Sequence, residues 1–231
     1  MGMSFWRITG SMGVMQLSPD LPIGRPSFAL SEDELATVVD LLCRGATVVR
    51  PLLTPGMLEV PITIHVKKAM RRLKKELGLS NLEITGEFEL LDPANNDPKV
   101  LGRIDIILRF LHQFGDEEAY LGVECKRVGN GEAALNQRYV TQGVNRFATG
   151  QYSAGHHWGM MLGYVLRLPS AALVERIDAR MRAIYGETSK LVDLDAHADA
   201  LSMHSGDLVQ GTGGHVIRLM HVFVDSTSAA T

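Results

Sequence analysis

Residues 119–128, AYLGVECKRV, form the segment that most constrains the fold. Its first half is apolar, which is typical of a strand buried within a sheet. Two opposite charges, Glu124 and Lys126, interrupt this run. Because strand side chains alternate, both charges project from one face while Cys125 projects from the other. Buried charges are costly without partners, so the segment predicts a central strand that carries a polar site.

Hydrophobic patterns on both sides of this segment predict an α/β protein. The predicted elements, in chain order, are helices over 32–43 and 57–77, strands over 82–91, 102–111 and 119–128, a helix over 132–148, a strand over 157–168, a helix over 170–186 and a strand over 215–225. A capping box (Ser31 with Glu34) opens the first helix, and Gly78 ends the second. Short polar loops between the three consecutive strands favour a meander. We therefore expect a mixed central β-sheet flanked by helices.

The domain organisation is predicted to be one compact unit with an N-terminal extension. Gly and Pro punctuate the first part of the chain, so residues 1–56 are assigned to an irregular arm and an accessory helix. Residues 57–231 are assigned to the α/β domain. Residues 187–214 show no clear periodicity, and the GTGG run at 211–214 predicts a hinge.

Composition narrows the classes of function. The formal net charge of −3 excludes a polycation that coats nucleic acid, so nucleic-acid contact would need a local basic patch. Both cysteines, Cys43 and Cys125, lie in apolar runs and suggest no disulfide framework. The N-terminus lacks a signal-peptide layout, and no apolar run approaches the ~20 residues that span a bilayer. We expect a cytoplasmic protein without membrane contact.

A third charge, Asp105, lies between Ile104 and Ile106 in the predicted strand 102–111. If this strand neighbours 119–128, the carboxylates of Asp105 and Glu124 lie side by side. Two close carboxylates do not both stay ionised without a cation, and Mg²⁺ takes oxygen ligands of this kind. Lys126, on the same face, could hold an attacking water or a phosphate oxygen. This combination suits the hydrolysis of a phosphodiester.

An Asp on one strand and Glu-x-Lys on the next, within this order of elements, resembles the PD-(D/E)XK nuclease superfamily. The resemblance covers residues 57–168, about half of the chain. It implies a restriction-endonuclease-like αβββαβ core, to which this chain adds an N-terminal arm and helix and a C-terminal helix and strand. The chain departs from the motif that gives the superfamily its name at one position: residue 104, before Asp105, is Ile where the motif has Pro.

The resemblance also implies roles for the charged residues. Asp105 and Glu124 match the metal-binding carboxylates, and Lys126 matches the catalytic lysine. Glu59, at the start of the 57–77 helix, matches the Glu that superfamily members often place there as a further ligand. Two alternatives stay open: the helix dipole alone can explain an acid in the first turn, and Glu87 on the first strand could supply the third carboxylate.

The helix after the third strand is expected to contact the substrate. Many superfamily members carry a Gln there together with a basic or aromatic residue. Gln142 and Arg146 are four residues apart and so share a helix face. Tyr139, three residues before Gln142, is expected close to that face.

The resulting prediction is a Mg²⁺-dependent endodeoxyribonuclease that hydrolyses DNA phosphodiester bonds, with Mn²⁺ able to substitute. Cutting both strands of a duplex would favour a homodimer, although the sequence indicates no interface. The alternative is a non-catalytic module on the same fold that binds nucleic acid or a protein. Glu124 and Lys126 could also form an exposed charge ladder on an edge strand, and the basic face of the 57–77 helix is either solvated or a DNA contact.

Overall fold

The computed structural model describes residues 28–86, 88–91, 100–211 and 213–228. The helices are α1 (Glu32–Val49), α2 (Glu59–Glu76), α3 (Ala133–Arg138), a π-helical segment (Tyr139–Val144), α4 (Asn145–Ala148) and α5 (Ala171–Tyr185). The strands are β1 (Leu82–Thr85), β2 (Phe88–Leu91), β3 (Val100–Ile104), β4 (Ile106–Phe110), β5 (Leu121–Val128), β6 (Trp158–Val165), β7 (Val192–Leu194), β8 (Ser202–Val209) and β9 (Val216–Asp225). None of the described helices combines the length and the apolar character that crossing a bilayer requires.

Seven strands form one mixed sheet in the order β1-β4-β5-β6-β9-β8-β7. The three central strands, β5, β6 and β9, run parallel, and the strands on either side are antiparallel. Helices cover both faces of this sheet, since two separate apolar cores lie against it. The predicted α/β class with a mixed central sheet flanked by helices is therefore confirmed.

Successive side chains of the central strands point alternately into one core and into the other. In β6, Leu162 and Tyr164 belong to the core under α1 and α2, whereas Met161 and Val165 belong to the core under α3, α4 and α5. Cys125 is fully buried in the first core, as its position opposite Glu124 and Lys126 predicted.

Helix α1 runs further than predicted and packs against α2 in the first core. The prediction ended this helix at residue 43, but it continues to Val49. Gly45, which lowers helix propensity, lies where the two helices cross. A Cβ at this position would lie 3.0 Å from Cγ of Met70, so the glycine lets the helices approach closely.

The predicted continuous strands 82–91 and 102–111 are each divided in two, so that part of the prediction was wrong. The inner halves, β1 and β4, pair within the main sheet, whereas β2 and β3 form a separate two-stranded sheet. The hairpin bends at Gly86 and Asp105. A Cβ on Gly86 would lie 2.8 Å from the carbonyl oxygen of Asp105, so the bend needs a glycine there. This bend places Asp105 at a corner of the sheet.

Two strands, β7 and β8, were missed by the sequence prediction. Strand β8 pairs antiparallel with β9 over its whole length, from Ser202 opposite Phe223 to Val209 opposite Val216. The predicted hinge at 211–214 connects these strands, and the backbone N–H of Gln210 donates to the carbonyl of His215.

Candidate active site

The site begins where β5 loses its neighbour on one side. Strand β4 pairs only with Leu121–Val123 of β5. Beyond Val123, the only strand partner of β5 in the described part of the chain is β6. The remaining edge of β5 exposes backbone N–H and C=O groups, and such groups require partners when they are buried.

Two carboxylates satisfy this edge. The backbone N–H of Cys125 donates to Oδ2 of Asp105 at 2.8 Å. The backbone N–H of Arg127 donates to Oε2 of Glu59 at 3.0 Å. These residues lie two apart, so their N–H groups point toward the same edge. The free edge of β5 therefore holds an acid from the bend of the hairpin and an acid from the first turn of α2.

Lys126 joins these groups to Glu124. Its ammonium nitrogen donates to Oε1 of Glu124 at 2.6 Å, to Oε1 of Glu59 at 2.9 Å and to the carbonyl oxygen of Cys125 at 2.9 Å. These three contacts use every ammonium hydrogen. Glu124 is only 1% exposed and Lys126 only 8% exposed, so this is a buried ion cluster and not an edge-strand charge ladder.

The electrostatics of the cluster favour additional positive charge. Burial and, to a smaller extent, the nearby Asp105 carboxylate raise the pKa of Glu124 to about 8, although Lys126 and Arg146 oppose the shift. Burial also raises the pKa of Asp105, although Lys126 opposes the shift. For Lys126, burial lowers the pKa, but Glu124, Glu59 and Asp105 outweigh burial and raise it. Ionisable groups whose pKa values are strongly shifted by burial and by one another are typical of functional sites.

Arg146 closes the cluster from the helical side. Its Nη1 lies 3.4 Å from the Glu124 carboxylate and donates to the carbonyl of Arg103 at 3.1 Å. The same guanidinium contacts the hydroxyl of Tyr152 and lies over its ring, with its central carbon 5.0 Å from the ring centroid. Because three different groups fix the guanidinium, Arg146 is held in place before any ligand arrives.

The helix that carries Arg146 contains an unusual segment directly above Lys126. Tyr139–Val144 is π-helical, a form that is rare and often marks functional sites. Within it, a Cβ on Gly143 would lie 2.5 Å from Cε of Met161 and 3.3 Å from Cγ of Lys126. The glycine therefore lets the helix lie close over the stem of Lys126.

A cleft of about 350 Å³ opens beside the cluster. It is lined by Leu58, Glu59, Val60, Pro61, Lys126, Arg127, Leu135, Arg138, Gln142 and Arg146. The structure thus brings together four of the predicted residues: Glu59, Lys126, Gln142 and Arg146. Asp105 and Glu124 belong to the cluster but are not among the residues that line the cleft, and Glu124 is almost fully buried.

Sequence reasoning missed two arginines of the cleft. Arg138 precedes Gln142 by four residues, the same spacing that links Gln142 to Arg146, so extending that face by one turn would have found it. Arg127 gave no comparable signal, because alternation along β5 places it opposite Lys126.

Tyr139 is not brought to the cleft, and this prediction is corrected. Its side chain is fully buried in the second core, with its hydroxyl 2.9 Å from Nδ1 of His221 and its ring stacked on Phe223. A residue three positions before Gln142 lies on the flank of the helix, and here that flank packs against the sheet. Glu87, the rival third carboxylate, lies outside the described residues.

No protein-family model, curated protein or solved structure matches this chain. A fold does not fix a function, so the function has to be inferred from the geometry and chemistry of the site.

The donors around β5 suit a hard cation. Within the described residues, no group of three or more His, Cys, Asp and Glu side chains is arranged to hold a metal ion. Mg²⁺, however, commonly uses one or two carboxylates and completes its shell with water and phosphate oxygens. Asp105, Glu124 and the carbonyl of Cys125 offer oxygen atoms only, which fits Mg²⁺ or Mn²⁺ better than zinc.

Proposed function

We propose that the protein is a Mg²⁺-dependent endodeoxyribonuclease with a restriction-endonuclease-like core. The observation that carries this proposal is the cluster at the free edge of β5. There the ammonium of Lys126 bridges Glu124 and Glu59, and Asp105 is held on the neighbouring backbone N–H of Cys125. The run of elements α2, β1, β4, β5, α3 to α4 and β6 is consistent with an αβββαβ core.

The metal would be held by Asp105 and Glu124, with the Cys125 carbonyl as a neutral oxygen donor and Glu59 as a further carboxylate. When bound, Mg²⁺ supplies positive charge that lowers the pKa of water and stabilises a phosphoryl oxygen.

The protein's own residues would orient the substrate. Lys126 is a compact cation that would hold a water or a non-bridging phosphate oxygen as a point charge, in exchange for one of its three protein acceptors. Gln142 is exposed at the cleft and can donate from its amide to the substrate backbone. Arg146 is fixed by Tyr152 and can present its planar guanidinium to a phosphate.

Glu59 also has a positioning role in this proposal. It binds both the ammonium of Lys126 and the backbone N–H of Arg127, so it ties the first turn of α2 to the end of β5. An acid in a first turn is also favoured by the helix dipole, and here the two effects coincide.

Cleavage of supercoiled plasmid tests the proposal. We expect nicked and linear products with Mg²⁺ or Mn²⁺ and none in EDTA. Lys126→Met, which keeps the side-chain length but removes the charge, should lower the rate at least about a hundredfold. The matched control is Lys190→Met, because Lys190 is exposed and lines neither the cleft nor the cluster. Wild-type protein that leaves plasmid, linear and single-stranded DNA intact with both metals would refute the proposal.

A second function is favoured by one specific observation. All three ammonium hydrogens of Lys126 are satisfied by the protein itself, as expected for a structural ion cluster in a non-catalytic binding module. Calorimetric titration with Mn²⁺ separates the two functions. A nuclease should bind Mn²⁺ in the wild type and lose this binding in Glu124→Gln, whereas a binding module has no need of a carboxylate-dependent metal site.

A further inference from the structure

Arg127 lies at the junction of two cavities. The cleft of about 350 Å³ and a second cavity of about 620 Å³ share Arg127 and Leu135 in their walls. The second cavity has an apolar wall, to which Leu53, Ile62 and Leu166 contribute. The two cavities therefore lie next to each other, and Arg127 stands in the wall between them.

The hydrogen bonds of Arg127 leave part of its guanidinium available. Its Nη1 donates to the carbonyl of Met57 at 3.2 Å. Its Nε is buried and has no hydrogen-bond partner among the described residues. Because Nε is enclosed, it is not the atom that a ligand can reach. Nη2 also has no hydrogen-bond partner among the described residues and is not enclosed, so it is open to a group from solution.

The charge of Arg127 is also unusual. A guanidinium stays protonated in proteins, and a partly buried one is normally paired. Arg182 and Arg218, which are comparably buried, pair with Asp178 and Asp207. For Arg127, no Asp or Glu oxygen of the described residues lies within ion-pair distance. Its backbone N–H binds Glu59, but its side chain is left with a charge that an anion from solution could neutralise.

We infer that Arg127 binds a phosphate group of the substrate at this junction, and that the single DNA strand carrying the phosphate runs from the cleft into the second cavity. This inference rests on the proposed function, because it takes nucleic acid as the substrate. Nη1 and Nη2 of a guanidinium form a fork that matches two oxygens of one phosphate, and in Arg127 Nη2 has no partner among the described residues. The apolar wall suits unpaired bases, which expose their faces, whereas paired bases expose only their edges.

Binding without cleavage tests this inference. Fluorescence anisotropy of a short labelled single-stranded oligonucleotide in EDTA measures affinity across a range of salt concentrations. Arg127→Gln should weaken binding about tenfold or more, since it removes a charge-assisted bidentate contact. It should also reduce the slope of log affinity against log salt by about 0.7, the value for one phosphate of a single strand. The matched control Arg180→Gln, exposed on α5 and lining neither cavity, should behave as wild type.

A second variant and a second oligonucleotide complete the experiment. Arg127→Lys keeps the charge but loses the fork, so its salt slope should match wild type while its affinity falls; it also replaces Arg127→Gln if that variant does not fold. An oligonucleotide with a 5′-phosphate, compared with one without, identifies whether the bound group is terminal or internal. Unchanged affinity in both Arg127 variants at wild-type melting temperature would overturn the inference. Binding that depends on Arg127 in a protein that cuts no DNA would support the inference and refute only the nuclease proposal.

Discussion

Lys126 donates to three acceptors, the carboxylates of Glu124 and Glu59 and the carbonyl of Cys125. Removing one partner of a buried ion pair typically costs more than the pair contributes, because the remaining charge stays desolvated. Substitution of Lys126 leaves Glu124 without its closest cation, whereas substitution of Glu124 still leaves Lys126 bound to Glu59. Although the two residues are paired, substitution of Lys126 should therefore lower the free energy of unfolding more than substitution of Glu124 does.

Glu124 should make the folded state less stable as the pH rises. Its pKa is about 8 in the fold, against 4.5 for an unperturbed glutamate. A carboxyl with a raised folded pKa contributes stability that is complete below pH 4.5 and is lost as the pH passes through 8. In urea denaturation with EDTA, the free energy of unfolding of the wild type should therefore fall by about 3 kcal/mol relative to that of Glu124→Gln between pH 5.5 and 8.0.

The exposed Glu175 on α5 provides the control for this measurement. Glu175→Gln should follow the wild-type pH dependence throughout. If Glu124→Gln and the wild type lose stability in parallel, the carboxyl of Glu124 is ionised in the fold and the prediction is wrong.

At the residue scale, the site residues that could be predicted from the sequence are the charged ones that interrupt an apolar strand. Asp105, Glu124 and Lys126 stand out because each interrupts an apolar strand, and burial makes such charges costly. Arg127 could not be found this way, because it lies at the end of the run, where charges are ordinary. The burial of Tyr139 depends on how the helix rotates over the sheet, and the π-helical segment sets that rotation.

The bend of the hairpin is the element on which the position of Asp105 depends. Gly86→Ala places a Cβ 2.8 Å from the Asp105 carbonyl, so the backbone at the bend has to move. We expect a loss of about 1–3 kcal/mol in stability from this overpacking. Because Asp105 moves with the bend, Mn²⁺ affinity measured by calorimetry should fall about tenfold.

Gly211→Ala is a suitable control for this substitution. Its Cβ would meet only the carbonyl of Ala148, at 3.9 Å, which is ordinary contact. A Gly86→Ala protein with wild-type stability and Mn²⁺ affinity would contradict the role assigned to the bend.

The same bend explains why the strands were only partly predictable. Residues 82–91 and 102–111 carry strand patterns throughout, so the division at Gly86 and Asp105 gives no periodic signal. Strand β8 was missed for a related reason. Gly206 lowers its strand propensity, yet a Cβ there would lie 2.7 Å from the Ser189 carbonyl, so tertiary packing requires the glycine.

At the scale of the whole molecule, the site lies on β5, at the border between the parallel centre of the sheet and its antiparallel strands β4 and β1. Strands β5, β6 and β9 are buried on both faces, and their nearly continuous apolar sequences made them predictable. The site lies at the one place where β5 leaves β4, so its polar groups interrupt few core contacts.

Two histidines inside the cores should make the whole fold sensitive to acid. Burial lowers the pKa of His221 to about 3, with a further contribution from His204, and burial lowers the pKa of His156 to about 4. Because both values lie below the 6.5 of an unfolded histidine, the stability present above pH 6.5 is lost as the pH falls toward the folded values. Each histidine should lower the free energy of unfolding by about 2 kcal/mol as the pH falls from 6.5 to 4.5.

Comparing variants isolates this effect from the opposite trend of Glu124. His221→Asn places an amide where Nδ1 contacts the hydroxyl of Tyr139, but it cannot take up a proton. In urea denaturation, this variant should therefore lose about 2 kcal/mol less than the wild type between pH 6.5 and 4.5. His65→Asn, at a partly exposed position of α2, is the matched control. An identical acid loss in wild type and His221→Asn would mean that the core accepts a charged imidazole, which its full burial argues against.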